Sequence, residues 1–364
     1  MIKRFIKEDI KDLEPYVAGA TKEEAALRHG LRPEEVIKLA SNENPYGPPP
    51  KAVEAIEGWS CRVNLYPEDY PRELIEAISG YVNVPAEMIL PGGNGADEAM
   101  DTIFKMLLSP GDEVLLHSPT FPYYRILTRL YGGRAVEVPM TDGYGFPAER
   151  IIEGVTDRTK LIVICSPNNP TGTAIGADEV KALLDTGLPV MLDEAYVEFA
   201  DTSHTGLVRE YENLVVLRTF SKAFGLAGLR VGYALAHPDL TAEALKAKPP
   251  HNVNLLAQKA AAAALGDLGH MRESVEKIRR QRSMVFEELA AIEGVKAYPS
   301  QANFHLIDLS GSAKEARGVV EGLERRGIIV RWCAGFGLPD CIRVTVGTEE
   351  ENRRFLAELK EVLG

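Results

Sequence analysis

The sequence predicts an α/β protein with a mostly parallel central sheet, helices on both of its faces, and a smaller α+β domain. Three observations carry this expectation. Short apolar runs alternate with helical patterns from about residue 70 to 236. The runs show no clean period of two, as expected for strands buried on both faces. After residue 240 the alternation gives way to a long helical pattern and then to mixed strands and helices.

Taken in order, the elements are these. The first forty-odd residues are mixed and charged, and the block Ser41-Asn42-Glu43-Asn44-Pro45-Tyr46-Gly47-Pro48-Pro49-Pro50 cannot continue a helix. It reads as a connecting arm. Strands of three to six residues are expected at 113–117, 135–138, 161–165, 190–192, 214–217 and 231–236, with helices between them, for example at 96–108 and 177–185. Such alternation implies parallel strand pairing. A long helix is expected at 271–292, then a strand at 304–309, a helix at 313–326, and strands at 328–331 and 341–346. Thr348 and Glu351 form a capping box that opens the last helix. The expected division is an arm over 1–47 that joins the small domain, a large domain over 48–250 and a small domain over 251–364.

Composition narrows the function. The chain has 364 residues, enough for about two domains. Its formal net charge of −12 argues against nucleic acid or an acidic membrane as a partner, though not against a small basic pocket. The N-terminus has no apolar signal region and no run is long enough to span a bilayer. The four cysteines (61, 165, 333 and 341) form no C-x-x-C and no metal-ligand spacing with histidine. No metal is expected, and scattered thiols fit a reducing cytoplasm.

In a parallel sheet, ligands sit beyond the carboxyl ends of the strands. Reading those ends gives four polar clusters: Asn168-Asn169-Pro170-Thr171-Gly172, Asp193-Glu194-Ala195-Tyr196, Arg218-Thr219-Phe220-Ser221-Lys222, and Gly92-Gly93-Asn94-Gly95-Ala96-Asp97. The first also suits a turn, and Asp193 also suits a helix cap. Asp193 nevertheless ends a very apolar strand, where a carboxylate needs a cation or donors. Lys222 precedes the apolar loop Ala223-Phe224-Gly225-Leu226-Ala227. Desolvation there would depress its pKa and favour a nucleophilic amine. Gly95-Ala96-Asp97 opens a helix, and such termini bind phosphate. A third glycine is missing at Glu98, so this is no dinucleotide fingerprint. A phosphate cradle, a strand-end carboxylate, an Asn, a Tyr and a desolvated Lys are together the parts of a pyridoxal phosphate site.

The ordered set Asn169-Pro170-Thr171-Gly172, Asp193 with Tyr196, Ser221-Lys222 and Arg230 resembles the fold-type I pyridoxal phosphate aminotransferases of the aspartate aminotransferase superfamily, class II. Within it, the sequence is most similar to the histidinol-phosphate aminotransferases. The further matches are Leu13-Glu14-Pro15-Tyr16, the 41–47 arm, Tyr66-Pro67, the run from Thr219 to Arg230, Ala302-Asn303-Phe304, 327–331 and 342–347. The resemblance implies a role for each matching residue. Lys222 would bind the cofactor covalently and move the Cα proton. Asp193 would pair with the pyridine nitrogen. Asn169 and Tyr196 would bond the ring 3′-oxygen, and Phe121 would stack on the ring. The phosphate would be held by Gly95, Ala96, Asp97, Ser221, Arg230 and Thr219, and by Tyr66 from the second subunit of a homodimer with shared active sites. Arg343 would clamp a substrate carboxylate, Arg331 matches an extra arginine of the histidinol-phosphate enzymes, and the two forks together would suit a phosphate or a carboxylate. Tyr16 and the arm Asn42–Asn44, with Asn44 as its binding residue, would close over the substrate. The implied substrates are histidinol phosphate and glutamate or 2-oxoglutarate, in histidine biosynthesis. An aromatic or other amino-acid aminotransferase, or a threonine-phosphate decarboxylase-like enzyme, would use the same parts. One local departure is Tyr66-Pro67-Glu68-Asp69-Tyr70-Pro71, where relatives often read Tyr-Pro-Asp-Pro.

Overall fold

A computed structural model describes residues 2–11, 13 and 19–364. Strands β1 (Ile37–Lys38), β2 (Ile89–Gly93), β3 (Glu113–Ser118), β4 (Arg134–Pro139), β5 (Thr159–Cys165), β6 (Val190–Asp193), β7 (Leu214–Thr219) and β8 (Val231–Leu235) are followed by β9 (Lys296–Ala297), β10 (Phe304–Asp308), β11 (Ile328–Ile329), β12 (Arg331–Trp332) and β13 (Cys341–Thr345). Seven of them form one sheet in the order β2-β8-β7-β6-β5-β3-β4, in which β8 runs against the other six.

The missing period of two has a direct cause. Successive side chains point to opposite faces, and both faces are apolar. Leu115, Ile162, Ile164, Leu192, Leu214 and Val216 join one buried cluster, while Val114, Leu116, Leu161, Val163, Met191, Val215 and Leu217 join another. Helices Arg72–Val82, Ala177–Leu184 and Leu255–Leu265 cover the first face, and Ala96–Leu107, Tyr123–Leu130 and Pro238–Ala247 cover the second.

β2 was not among the expected strands, because Pro91-Gly92-Gly93 has no strand propensity. It pairs antiparallel with β8 at the sheet edge. Its glycines are required by close backbone approach: a Cβ on Gly93 would lie 1.9 Å from the Asn252 carbonyl oxygen. The expected strand at 328–331 is two strands. β11 pairs parallel with β1 of the arm, and after Val330 the chain enters a second, antiparallel sheet as β12, in the order β12-β13-β10-β9. The departure at Glu68-Asp69 shapes a pinned loop. Asp69 Oδ1 accepts from Lys248 Nζ at 2.8 Å and from His251 N at 2.6 Å, and the Glu68 carbonyl accepts from Gln258.

Helices Ala316–Arg325 and Glu349–Leu363 pack on the second sheet through Val319, Leu323, Phe355 and Leu359, and Ile37 and Leu39 of the arm are buried among them. We propose the same three-part division of the chain, with the boundary moved. Leu255–Leu265 packs on Pro50–Trp59, inside the larger unit. Helix Leu268–Ala290 buries Met271, Val275 and Ile278 in the large core and Val285 and Leu289 in the small one. The boundary therefore falls within that helix rather than at residue 250. No described helix is long and apolar enough to cross a membrane.

Candidate active site

The carboxyl edge of the large sheet, the arm and the small sheet enclose a cavity of about 540 Å³. Each strand delivers its residue by ending there. β5 is followed by Asn169, β6 ends on Asp193 and β7 ends on Thr219, with Ser221 and Lys222 just beyond. β2 leads into Gly95 and the helix Ala96–Leu107, and β3 leads to Phe121. Arg230 precedes β8, and because β8 runs backwards its start lies at this same edge. The small sheet contributes Arg331 and Arg343.

Asp193 is buried. Its Oδ2 accepts from the Tyr124 phenol at 2.6 Å and its Oδ1 from the Ala195 backbone N–H at 2.9 Å. The second bond closes a local turn and caps no helix, since the next short helix, Val197–Phe199, begins after Tyr196. Burial pushes the carboxyl up to about 6, against the pull of both donors. Cys165 sits opposite Asp193 in the β5–β6 register, and burial raises its thiol, so it is a neutral apolar wall rather than a nucleophile.

Lys222 Nζ donates to the Ser41 carbonyl at 3.0 Å and lies over the Tyr196 ring. Burial first, and the Arg343 charge second, lower the amine to about 8. Tyr196 accepts from Asn42 Nδ2 at 3.0 Å, which leaves its own phenolic proton to donate. The Lys222 and Asp193 segments are clamped together below the cavity. Arg218 bonds Glu194 Oε2 and Glu198 Oε1, each at 3.0 Å, with all three side chains at most 7% exposed.

At the cavity's other end, the helix Ala96–Leu107 has Gly95 at its cap and no side-chain capping bond, so its first backbone N–H groups are presented without an internal acceptor. Arg230 is fixed beside them. Its Nη2 donates to the Asn94 carbonyl at 2.8 Å and meets Asp97 Oδ2 at 3.1 Å. A Cβ on Gly95, which has φ +79°, would lie 3.0 Å from that same Nη2. Ser221 and Thr219 complete this end through a 3.0 Å hydroxyl pair. Helix terminus, guanidinium and hydroxyls together form an anion cradle.

Arg331 and Arg343 are direct register partners across β12 and β13, so their side chains leave the same face. Both guanidinium groups lie 6.0 Å from the Phe336 ring. Like charges placed opposite each other destabilise a ladder, and a bound anion relieves them. Arg343 also donates to Asn169 Oδ1 at 2.5 Å and to the Ala40 carbonyl at 2.6 Å. Asn169 thereby links the two ends of the cavity.

Not every expected residue is gathered here. Tyr66 is 86% exposed, stacked on His251 at 5.0 Å, and does not line this chain's cavity. Asn44 does not line it either. Its Nδ2 donates to the Ala223 carbonyl at 2.8 Å and its Oδ1 accepts from Tyr46 N at 2.9 Å, so it braces the arm. Tyr16 lies outside the described residues. Asn42 and Glu43 of the expected arm do line the cavity, whereas sequence reasoning missed Tyr124 and Lys38. Tyr124 falls on the apolar face of its helix and reads as core; only its spacing of three after Phe121 hinted at the site.

Known proteins resemble this chain along nearly its whole length. The family described as Aminotransferase class I and II matches residues 34–359. The histidinol-phosphate aminotransferase of Methanosarcina mazei is 44% identical over 97% of this chain and 95% of its own. That of Methanocaldococcus jannaschii is 39% identical over 100% of this chain and 99% of its own. Among solved structures, histidinol-phosphate aminotransferase from Sinorhizobium meliloti in complex with pyridoxal-5′-phosphate has a TM-score of 0.88 and 27% identity, covering 98% of this chain and 97% of that one.

Proposed function

This chain belongs to the class I and II aminotransferase family, and on that premise we propose that it moves the amino group between histidinol phosphate and 2-oxoglutarate, with pyridoxal 5′-phosphate as cofactor. The products are imidazole acetol phosphate and glutamate, and the reversible reaction serves histidine biosynthesis. The observation that carries the substrate assignment is the Arg331–Arg343 register pair in the same cavity as Lys222. The names of the full-length relatives support it.

The residues present fit the cofactor. A phosphate suits the cradle of Gly95, Ala96, Asp97, Thr219, Ser221 and Arg230, and a protonated pyridine nitrogen suits the buried Asp193 carboxylate. Phe121 offers a ring face, and Asn169 and Tyr196 offer hydrogen bonds to a ring oxygen. When bound, pyridoxal 5′-phosphate supplies an aldehyde for the substrate amine and an electron-poor ring that takes up the electron pair of the broken Cα–H bond. The chain's own residues do the rest. Lys222, lowered to about 8, is neutral in about a tenth of molecules at pH 7 and can take the Cα proton. Asp193 holds a proton on the pyridine nitrogen. Arg331 and Arg343 grip the anion that each substrate presents to them, and the arm at Ser41–Asn42 excludes water from the amine.

Steady-state comparison of histidinol phosphate with phenylalanine, tyrosine and aspartate as amino donors tests the assignment. The expected preference for histidinol phosphate is at least about tenfold, or about 1.4 kcal/mol of transition-state discrimination. Arg331→Ala is expected to lose selectively the phosphorylated donor. Equal losses for every donor remove the role of Arg331, and release of CO₂ without glutamate-dependent exchange points instead to a decarboxylase.

The active unit in this reading is a cytoplasmic homodimer with shared sites. Val63, Leu65 and Tyr66 are apolar or aromatic and 64%, 58% and 86% exposed, as a surface awaiting a second copy would be. Tyr66 then reaches the partner's cofactor phosphate. Lys222→Ala and Tyr66→Phe, each impaired alone, are expected to regain tight cofactor binding and turnover when mixed, because each mixed dimer holds one complete site. Absence of recovery on subunit exchange excludes the shared site.

A further inference from the structure

The substrate side of the cavity is unevenly charged. Among the described residues, Lys38, Arg331 and Arg343 line it, together with one carboxylate, Glu43. The other carboxylates of the wall are engaged elsewhere, Asp97 with Arg230 and Asp193 with Tyr124 and Ala195. An acceptor-only group in a site built for anions costs affinity unless it has a task.

The arm around Glu43 is firmly tied. Asn42 N donates to Thr345 Oγ1 at 2.9 Å, Asn303 Nδ2 donates to the Asn42 carbonyl at 3.0 Å, and Asn44 Nδ2 donates to the Ala223 carbonyl at 2.8 Å. The Glu43 side chain is held differently. Lys38 Nζ lies 3.1 Å from Glu43 Oε1, with Lys38 20% and Glu43 47% exposed. A part-exposed ion pair of this kind adds little net stability and exchanges partners at small cost. Lys38 itself is set at the cavity by the parallel pairing of β1 with β11, where it stands opposite Ile329, two residues before Arg331.

A fixed backbone with an exchangeable side-chain partner suits a pocket that must accept two unlike substrates in turn. Both substrates offer an anion to the arginines. Only the phosphorylated one also carries an imidazole, whose N–H is a donor and whose ring is cationic when protonated. The dicarboxylate has no such donor, and an unpaired Glu43 would repel it. We infer that Lys38 and Glu43 form a substrate-discriminating subsite. Glu43 accepts the imidazole N–H of the phosphorylated donor and returns to Lys38 when the dicarboxylate is bound. This rests on the histidinol phosphate reading above.

The test follows each half-reaction separately in the holoenzyme, by the cofactor absorbance change on mixing with histidinol phosphate or with glutamate. Glu43→Gln is expected to lower the ratio of kcat/KM for histidinol phosphate over glutamate by about tenfold, mainly through KM, and Glu43→Asp to recover part of it. Lys38→Met is expected to move the ratio the other way, because Glu43 then meets the dicarboxylate without its counter-ion. If Glu43→Gln does not fold, the Lys38→Met shift decides alone. An unchanged ratio in the folded variants overturns the subsite while leaving the enzyme's assignment intact. A wild-type protein that reacts with glutamate but not with histidinol phosphate overturns the assignment, and the subsite with it.

Discussion

Lys222→Ala is expected to leave no borohydride-trappable cofactor on the chain and to lower amino transfer by at least about 10⁴-fold. The size follows from what Lys222 does alone. Among the described residues, Lys222 and Lys38 are the two amines that line the cavity, and Lys38 is occupied with Glu43. Neighbouring bonds cannot replace Lys222, since Ser41 offers it only a carbonyl and Tyr196 only a phenol whose own acidity is suppressed by burial. The same variant carries a stability prediction. Burial lowers the folded-state amine from 10.5 to about 8. A depressed amine contributes stability above pH 10.5 that is lost as pH falls through 8, so at neutral pH the charged Lys222 is a burden on the cofactor-free fold. Cofactor-free Lys222→Ala is therefore expected to melt no lower than the parent at pH 7. Mass spectrometry after borohydride reduction, with a thermal melt on the same sample, reads both outcomes. Retained cofactor on the variant removes Lys222 from its role.

The sequence made the strand ends legible because parallel strands buried on both faces advertise themselves as apolar runs, and whatever polar residue follows is conspicuous. Asp193 after Val190-Met191-Leu192 and Lys222 after Leu214–Thr219 were visible for that reason. What was hidden are contacts that only the tertiary fold creates. Tyr124 belongs by pattern to the core and touches Asp193 only because helix Tyr123–Leu130 lies across the carboxyl edge. The arginines at 331 and 343 could be matched to a family, but their direct opposition depends on the switch of sheets after Val330, which a continuous apolar run concealed. Asn42 and Asn44 belong to one short polar motif, and only tertiary contacts separate their tasks: Asn42 bonds Tyr196 at the cavity, whereas Asn44 braces the Ala223 carbonyl. The net charge of −12 likewise describes the exterior, while Arg230, Arg331, Arg343 and Lys222 concentrate positive charge in one cavity.

Asp193→Asn is expected to make the cofactor-free protein more stable at pH 7 and the holoenzyme slower by about 10²–10³-fold. Burial raises the folded-state carboxyl from 3.8 to about 6. A raised acid contributes stability that is complete below pH 3.8 and lost as pH rises through 6, so at neutral pH the ionised group sits buried at a cost on the order of 3 kcal/mol. Asparagine removes the charge and keeps the bonds. Its carbonyl can accept from Ala195 N, and its amide can donate to the Tyr124 oxygen once that phenol turns from donor to acceptor. The cofactor-free melt should accordingly rise at pH 7, and the gap from the parent should close as pH falls from 6 toward 4, where the parent carboxyl takes up its proton. Activity moves the opposite way because a neutral amide cannot keep a proton on a pyridine nitrogen, and the ring then accepts the Cα electron pair poorly. Melting curves between pH 4 and 8 and single-turnover rates on the same preparation separate the two effects. A variant that is less stable at pH 7, with a gap independent of pH, shows that Asp193 is a structural partner of Tyr124 rather than a charge held in reserve for the cofactor.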